Sequence, residues 1–155
     1  MSIDDIIDLV NSFDGTLVQR PEEGDGTPEI AWGDAFFFYA PDGTLPEATQ
    51  PFATIVTKDY PGDDLSQLDA DDRFRVNVAT GREVFVEWTG HDPREPAGDV
   101  DYAAADAVMP HPVYGEVGWL SVVNPGPATD DAVRDLLRRA YELARGRAER
   151  RAQLG

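Results

Sequence analysis

Four consecutive aromatic residues, Phe36-Phe37-Phe38-Tyr39, constrain the fold of this chain more than any other feature. Successive side chains of a strand point to opposite faces. The run is therefore apolar on both sides and predicts a central strand covered above and below. Partner strands are predicted at residues 16–18, at 51–58 with Phe52, Ile55 and Val56, and at 73–78, where Phe74, Val76 and Val78 share a face. Residues 106–109 and 118–123 read as the last two strands, separated by the Pro110-His111-Pro112 turn. Residues 29–32 and 35–39 flank Gly33-Asp34, a glycine-first pair of the kind that closes a two-residue hairpin.

Helices are predicted at the ends. Ser2 and Asp5 form a capping box, after which Ile3, Ile6, Ile7, Val10 and Phe13 recur at helical spacing until Asp14-Gly15. At the other end Thr129 is the expected cap of a helix over residues 129–144. Asp130 and Asp131 lie at its positive end, and Val133, Leu136, Leu137, Ala140, Tyr141 and Ala144 form its apolar stripe. Local signals conflict at residues 81–89. Val84-Phe85-Val86 favours a strand, whereas Thr80 with Glu83 and the following Gly90 favour a short helix, which is the reading adopted. The order is α+β: one domain over residues 1–155, an antiparallel sheet with N- and C-terminal helices packed on it.

That order resembles the YjbR/MmcQ family and its double-wing fold. The resemblance is carried by Pro51-Phe52-Ala53-Thr54 through Lys58, by the short helix ending at Gly90, and by Trp119 in a strand leading to residues 130–144 with Tyr141-Glu142-Leu143. The chain is also similar to an uncharacterised family of small proteins from high-GC bacteria, in the stretches around Trp32-Gly33-Asp34, Phe36 to Pro41 and Met109-Pro110-His111-Pro112-Val113-Tyr114. Neither likeness implies an established reaction.

Charge and composition exclude several functions. The net charge is −17, from 13 basic and 30 acidic side chains. Residues 134–155 carry seven arginines against three acids, leaving −21 on residues 1–133. Such a body repels phosphate backbones, so nucleic acid is not the expected partner, although YjbR-like proteins are sometimes described as DNA-binding. No apolar stretch approaches the roughly 20 residues of a membrane span. The absence of cysteine and the acidic Met1-Ser2-Ile3-Asp4-Asp5 start suggest a cytoplasmic address.

Candidate chemistry is sparse. The sequence has no P-loop and no G-x-S-x-G elbow, and its acid clusters Asp63-Asp64 and Asp69-Asp71-Asp72 read as solvated loop charge. A zinc site would need both His91 and His111 plus carboxylates, so no metal or cofactor is expected. His111 stands out because prolines on both sides restrict its backbone and present the imidazole from a fixed turn. The expected site is therefore aromatic-lined, near His111, with Tyr114, Trp119, Asp34, Tyr39 and Lys58 as ligand contacts. Lys58, the lone lysine, either pairs with a neighbour such as Asp59 or fixes an anionic group. The leading expectation is a binding module, monomeric or weakly homodimeric, for a small molecule or protein partner. The alternative is a small hydrolase or isomerase using His111 as general base with Asp34 or Asp106.

Overall fold

The computed structural model describes residues 1–154 and begins with the predicted capping box. Asp5 N donates to Ser2 Oγ at 3.1 Å, and Ser2 N donates to Asp5 Oδ2 at 2.9 Å. Helix α1, Ile3–Asn11, follows and buries Ile6, Ile7 and Val10. Six strands come next: β1 (Thr16–Gln19), β2 (Ala35–Tyr39), β3 (Ala53–Val56), β4 (Arg75–Ala79), β5 (Met109–Pro110) and β6 (Trp119–Val123). They form one antiparallel sheet in the order β1-β2-β3-β4-β6-β5. Helix α2, Gly81–Thr89, lies between β4 and β5, and α3, Asp130–Leu154, closes the chain. The fold is α+β with helices at both ends, as predicted. No helix among the described residues is long and apolar enough to cross a membrane.

The conflict at residues 81–89 resolves as helix. Only Phe85 of that segment is buried, which suits a surface helix better than a strand, and Gly90 closes it in the left-handed region at φ 78°. The predicted second capping box does not form. The Thr80 hydroxyl donates instead to Gly118 O at 3.2 Å, tying α2 to the start of β6.

The predicted hairpin at Gly33-Asp34 is absent. Residues Glu29–Ala31 coil into a single 3-10 turn, with Trp32 N donating to Glu29 O at 3.0 Å. Both edges of β2 are taken: β1 pairs along one side, placing Thr16 opposite Tyr39, and β3 along the other, placing Ala35 opposite Ile55. Residues 29–32 have no edge left to join. Similarly, the strand predicted at 106–109 shrinks to Met109–Pro110 plus a parallel bridge between Ala105 and Val123. Asp106 lies between them at φ 55°, its carboxylate turned toward the start of α3. The final helix runs ten residues past its predicted end at 144, to Leu154. Exposed i,i+4 ion pairs such as Arg145–Glu149 (2.9 Å) support that extension.

The two sheet faces differ. Phe37, Ala53, Ile55, Val76, Val78, Leu120 and Val122 share an apolar core with Ile6 and Val10 of α1, Phe85 of α2, and Leu136, Leu137 and Tyr141 of α3. The opposite face carries Phe36, Thr54, Arg75, Asn77 and Ser121, and it is not open to water. Arg75, Asn77 and Ser121 are each at most 1% exposed. The aromatic run is thus covered on both sides.

Candidate functional site

Strand β4 alternates Val76 and Val78 toward the helices with Arg75 and Asn77 toward the other face, and all four are buried. A buried polar row without partners costs free energy, so its hydrogen bonds define the local structure. Register places Thr54, Asn77 and Ser121 side by side on neighbouring strands. Asn77 Nδ2 donates to Thr54 Oγ1 at 3.0 Å, and Asn77 Oδ1 accepts from Ser121 Oγ at 2.7 Å and Arg75 Nε at 2.8 Å. Arg75 Nη1 donates to Asp63 Oδ1 at 2.9 Å and Ser66 Oγ at 3.0 Å, and Nη2 donates to Asp63 Oδ2 at 2.6 Å. This two-pronged pairing matches the planar guanidinium to the carboxylate. Burial tends to raise the pKa of Asp63, but the hydrogen bonds and charge of Arg75 outweigh it and hold the carboxyl below its usual range.

His111 reaches this floor from the turn after β5. Its backbone is pinned by His111 N donating to Trp119 O and Gly115 N donating to His111 O, both at 3.0 Å. The imidazole is 4% exposed, and its Nδ1 accepts from the backbone N–H of both Val113 and Tyr114 at 3.0 Å. Its Nε2 lies 3.3 Å from Arg75 Nη2. Desolvation first, and then the Arg75 charge, pushes its pKa down to about 3, with Asp63 opposing. The ring is neutral at pH 7. Tyr114 and Trp119 stack around it, with ring centroids 4.9 and 6.2 Å from the imidazole and 6.2 Å from each other.

Above the floor lies a cavity of about 690 Å³. His111, Tyr114, Trp119, Arg75, Asn77, Thr54 and Asp63 line it together with apolar wall residues including Ile30, Phe36, Val56 and Val113. Three of the predicted contacts, His111, Tyr114 and Trp119, therefore converge. The other three do not line it. Tyr39 points to the helix side, its ring 5.9 Å from that of Tyr141. Asp34 is not the turn residue of a hairpin. It is fully buried, and its Oδ1 accepts from Thr57 N (2.8 Å), Thr57 Oγ1 (2.7 Å) and Lys58 Nζ (2.9 Å). Its Oδ2 accepts from the Tyr60 hydroxyl. Lys58 thus pairs with Asp34, not Asp59, which instead accepts from Leu68 N at 2.8 Å. The cluster braces Tyr60, which does line the cavity. Burial and the Asp34 carboxylate hold that phenol protonated far above its ordinary range.

The carboxylates named as partners for His111 are engaged elsewhere. Asp34 serves Thr57, Lys58 and Tyr60, and Asp106 accepts from Gly126, Ala128 and Thr129. Neither hydrogen-bonds to His111. Among the described residues no group of three or more His, Cys, Asp or Glu side chains is placed to hold a metal ion. Arg75, Asn77, Asp63 and Tyr60 have site positions that no local motif announces. For Arg75 and Asn77 the one signal is the charged or polar residue at every second position of a strand that proves to be central. Asp63, within an acid cluster that reads as solvated charge, is the counter-ion of a buried arginine.

Residues 1–153 match the family of unknown function DUF6194, and the chain belongs to it. No curated protein and no solved structure matches the chain.

Proposed function

We propose that this member of a family of unknown function is a binding module that takes a compact, largely apolar small molecule into the cavity beside His111. One observation carries the reading: Tyr114, Trp119 and apolar side chains from four separate segments surround a cavity over a hydrogen-bonded polar floor. Its volume of about 690 Å³ falls within the roughly 300–1,000 Å³ of small-molecule sites, which pair apolar walls with a few placed polar groups. The lack of cysteine supports a cytoplasmic setting, and a monomer or weak homodimer belongs to the same reading. Kinship with the YjbR/MmcQ proteins belongs to the same reading, supported by the helix–sheet–helix order. A high-GC bacterial source is supported by one lysine against twelve arginines.

The test uses the neutral fluorophore N-phenyl-1-naphthylamine, whose emission rises in apolar surroundings. The protein binds it at one site. Ala31→Trp, which fills the cavity from a half-buried rim position, abolishes binding without lowering Tm. No emission change with the wild type, or equal binding by the filled variant, removes the reading.

A further inference from the structure

Every buried side-chain nitrogen and oxygen among the described residues has a neighbour within hydrogen-bond reach. For His111 Nε2 that neighbour is Arg75 Nη2, at 3.3 Å. A guanidinium nitrogen donates and never accepts. The tautomer decides what this contact is. Nδ1 accepts from two backbone N–H groups, so in the neutral ring the proton resides on Nε2. The opposite tautomer would turn Nδ1–H against two amide protons at 3.0 Å, a worse conflict than one contact at 3.3 Å. Two N–H donors, Nε2–H and Nη2–H, therefore sit side by side at the cavity floor with no acceptor between them. Both residues are nearly sealed from bulk water, His111 at 4% and Arg75 at 1% exposure. A buried donor without an acceptor is costly, so an oxygen belongs at this point.

The charge around the pair says which oxygen. Asp63 neutralises Arg75 through both carboxylate oxygens, and His111 is uncharged. The floor thus offers two donors and no net charge, inside a chain of net charge −17. A buried anion there would have no counter-ion. Resting on the cavity-binding reading above, the geometry points to a neutral ligand that has an apolar, ring-sized body and presents a carbonyl oxygen to His111 Nε2–H and Arg75 Nη2–H. The body lies against Tyr114, Trp119, Phe36 and Val56, which line the same cavity.

Three naphthalenes of one shape test this by displacing N-phenyl-1-naphthylamine: 2-acetylnaphthalene, its alkene isostere 2-isopropenylnaphthalene, and 2-naphthoate. The ketone binds on the order of tenfold tighter than the alkene, the worth of a hydrogen bond gained by otherwise unmatched donors, and tighter than the carboxylate. His111→Asn keeps an acceptor for Val113 and Tyr114 N–H but loses the Nε2–H. In it the ketone's advantage over the alkene, each measured by direct titration, falls below about threefold. On the wild type, the His111 Nε2–H proton resonance moves with the ketone and not with the alkene, a readout independent of how the variant folds. Equal binding of ketone and alkene means that a bound water holds both donors, and it overturns the ligand class while leaving the cavity reading intact. Tighter binding of the carboxylate, or an undiminished ketone preference in His111→Asn, also overturns it. Failure of the fluorophore to bind removes both readings together.

Discussion

At His111 the two ring nitrogens meet different neighbours, and that asymmetry has a consequence for stability. The unfolded imidazole titrates near its ordinary 6.5, while the folded one is depressed to about 3 by burial and by Arg75. Between those values the unfolded chain binds a proton that the native chain does not. The contribution is therefore complete above about pH 6.5 and is lost as pH falls toward 3, at up to about 1.4 kcal/mol per pH unit. Asp63, held below its usual range, adds a loss of the same sign only at lower pH. Urea unfolding at pH 7 and pH 5 checks this. The wild type loses up to about 2 kcal/mol over the interval, and His111→Asn loses clearly less. Equal losses would show that the imidazole is not buried neutral. The flanking prolines made His111 legible in the sequence, and its aromatic neighbours Tyr114 and Trp119 came with it. Arg75 and Asp63 were not legible. Each is a charged residue in an acidic chain until the fold brings them to 2.6 Å.

Among the elements, the helices and most strands were readable, while the segments at 29–32 and 106–109 were not. The stripe of α3 and the capping box of α1 are written within a few residues of chain, which is the range over which helical contacts act. Whether residues 29–32 form a strand depends on which edges of β2 are free, and β1 and β3, from distant parts of the chain, decide that. The cap of α3 shows the same limit. Thr129 precedes the helix as expected, yet its hydroxyl donates to Asp106 Oδ1 at 2.6 Å. Asp106 also accepts from Gly126 N at 2.8 Å, Ala128 N at 3.1 Å and Thr129 N at 3.0 Å. A carboxylate from the β5 approach thus serves the free amides before α3 and complements its positive end. Asp106→Ala should lower Tm by several degrees with the far-UV circular dichroism of the folded state unchanged. Thr129→Ala should cost less, because three backbone donors keep their acceptor. A larger loss in Thr129→Ala would return the capping role to the threonine.

For the molecule as a whole, one sheet separates two kinds of interior. The helix side is an apolar core closed by Phe13, Phe37, Phe52 and Tyr141, and it accounts for most of the hydrophobic pattern in the chain. The other side buries a hydrogen-bonded polar row beneath a cavity, with no α-helix among its walls. That separation explains why the fold class could be read from periodicity while half of the expected site could not: periodicity reports which face is apolar, not what the opposite face touches. Tyr39 was an expected ligand contact, and alternation along β2 sends it to the helix side. Three tryptophans distinguish the two sides in a single experiment. Trp119 lines the cavity, whereas Trp32 and Trp88 do not. In an amide correlation spectrum of the ¹⁵N-labelled protein titrated with 2-acetylnaphthalene, the Trp119 indole N–H should shift and saturate while that of Trp88 stays in place. A stationary Trp119 resonance, or a shift confined to Trp88, would contradict the assignment of the cavity as the binding site.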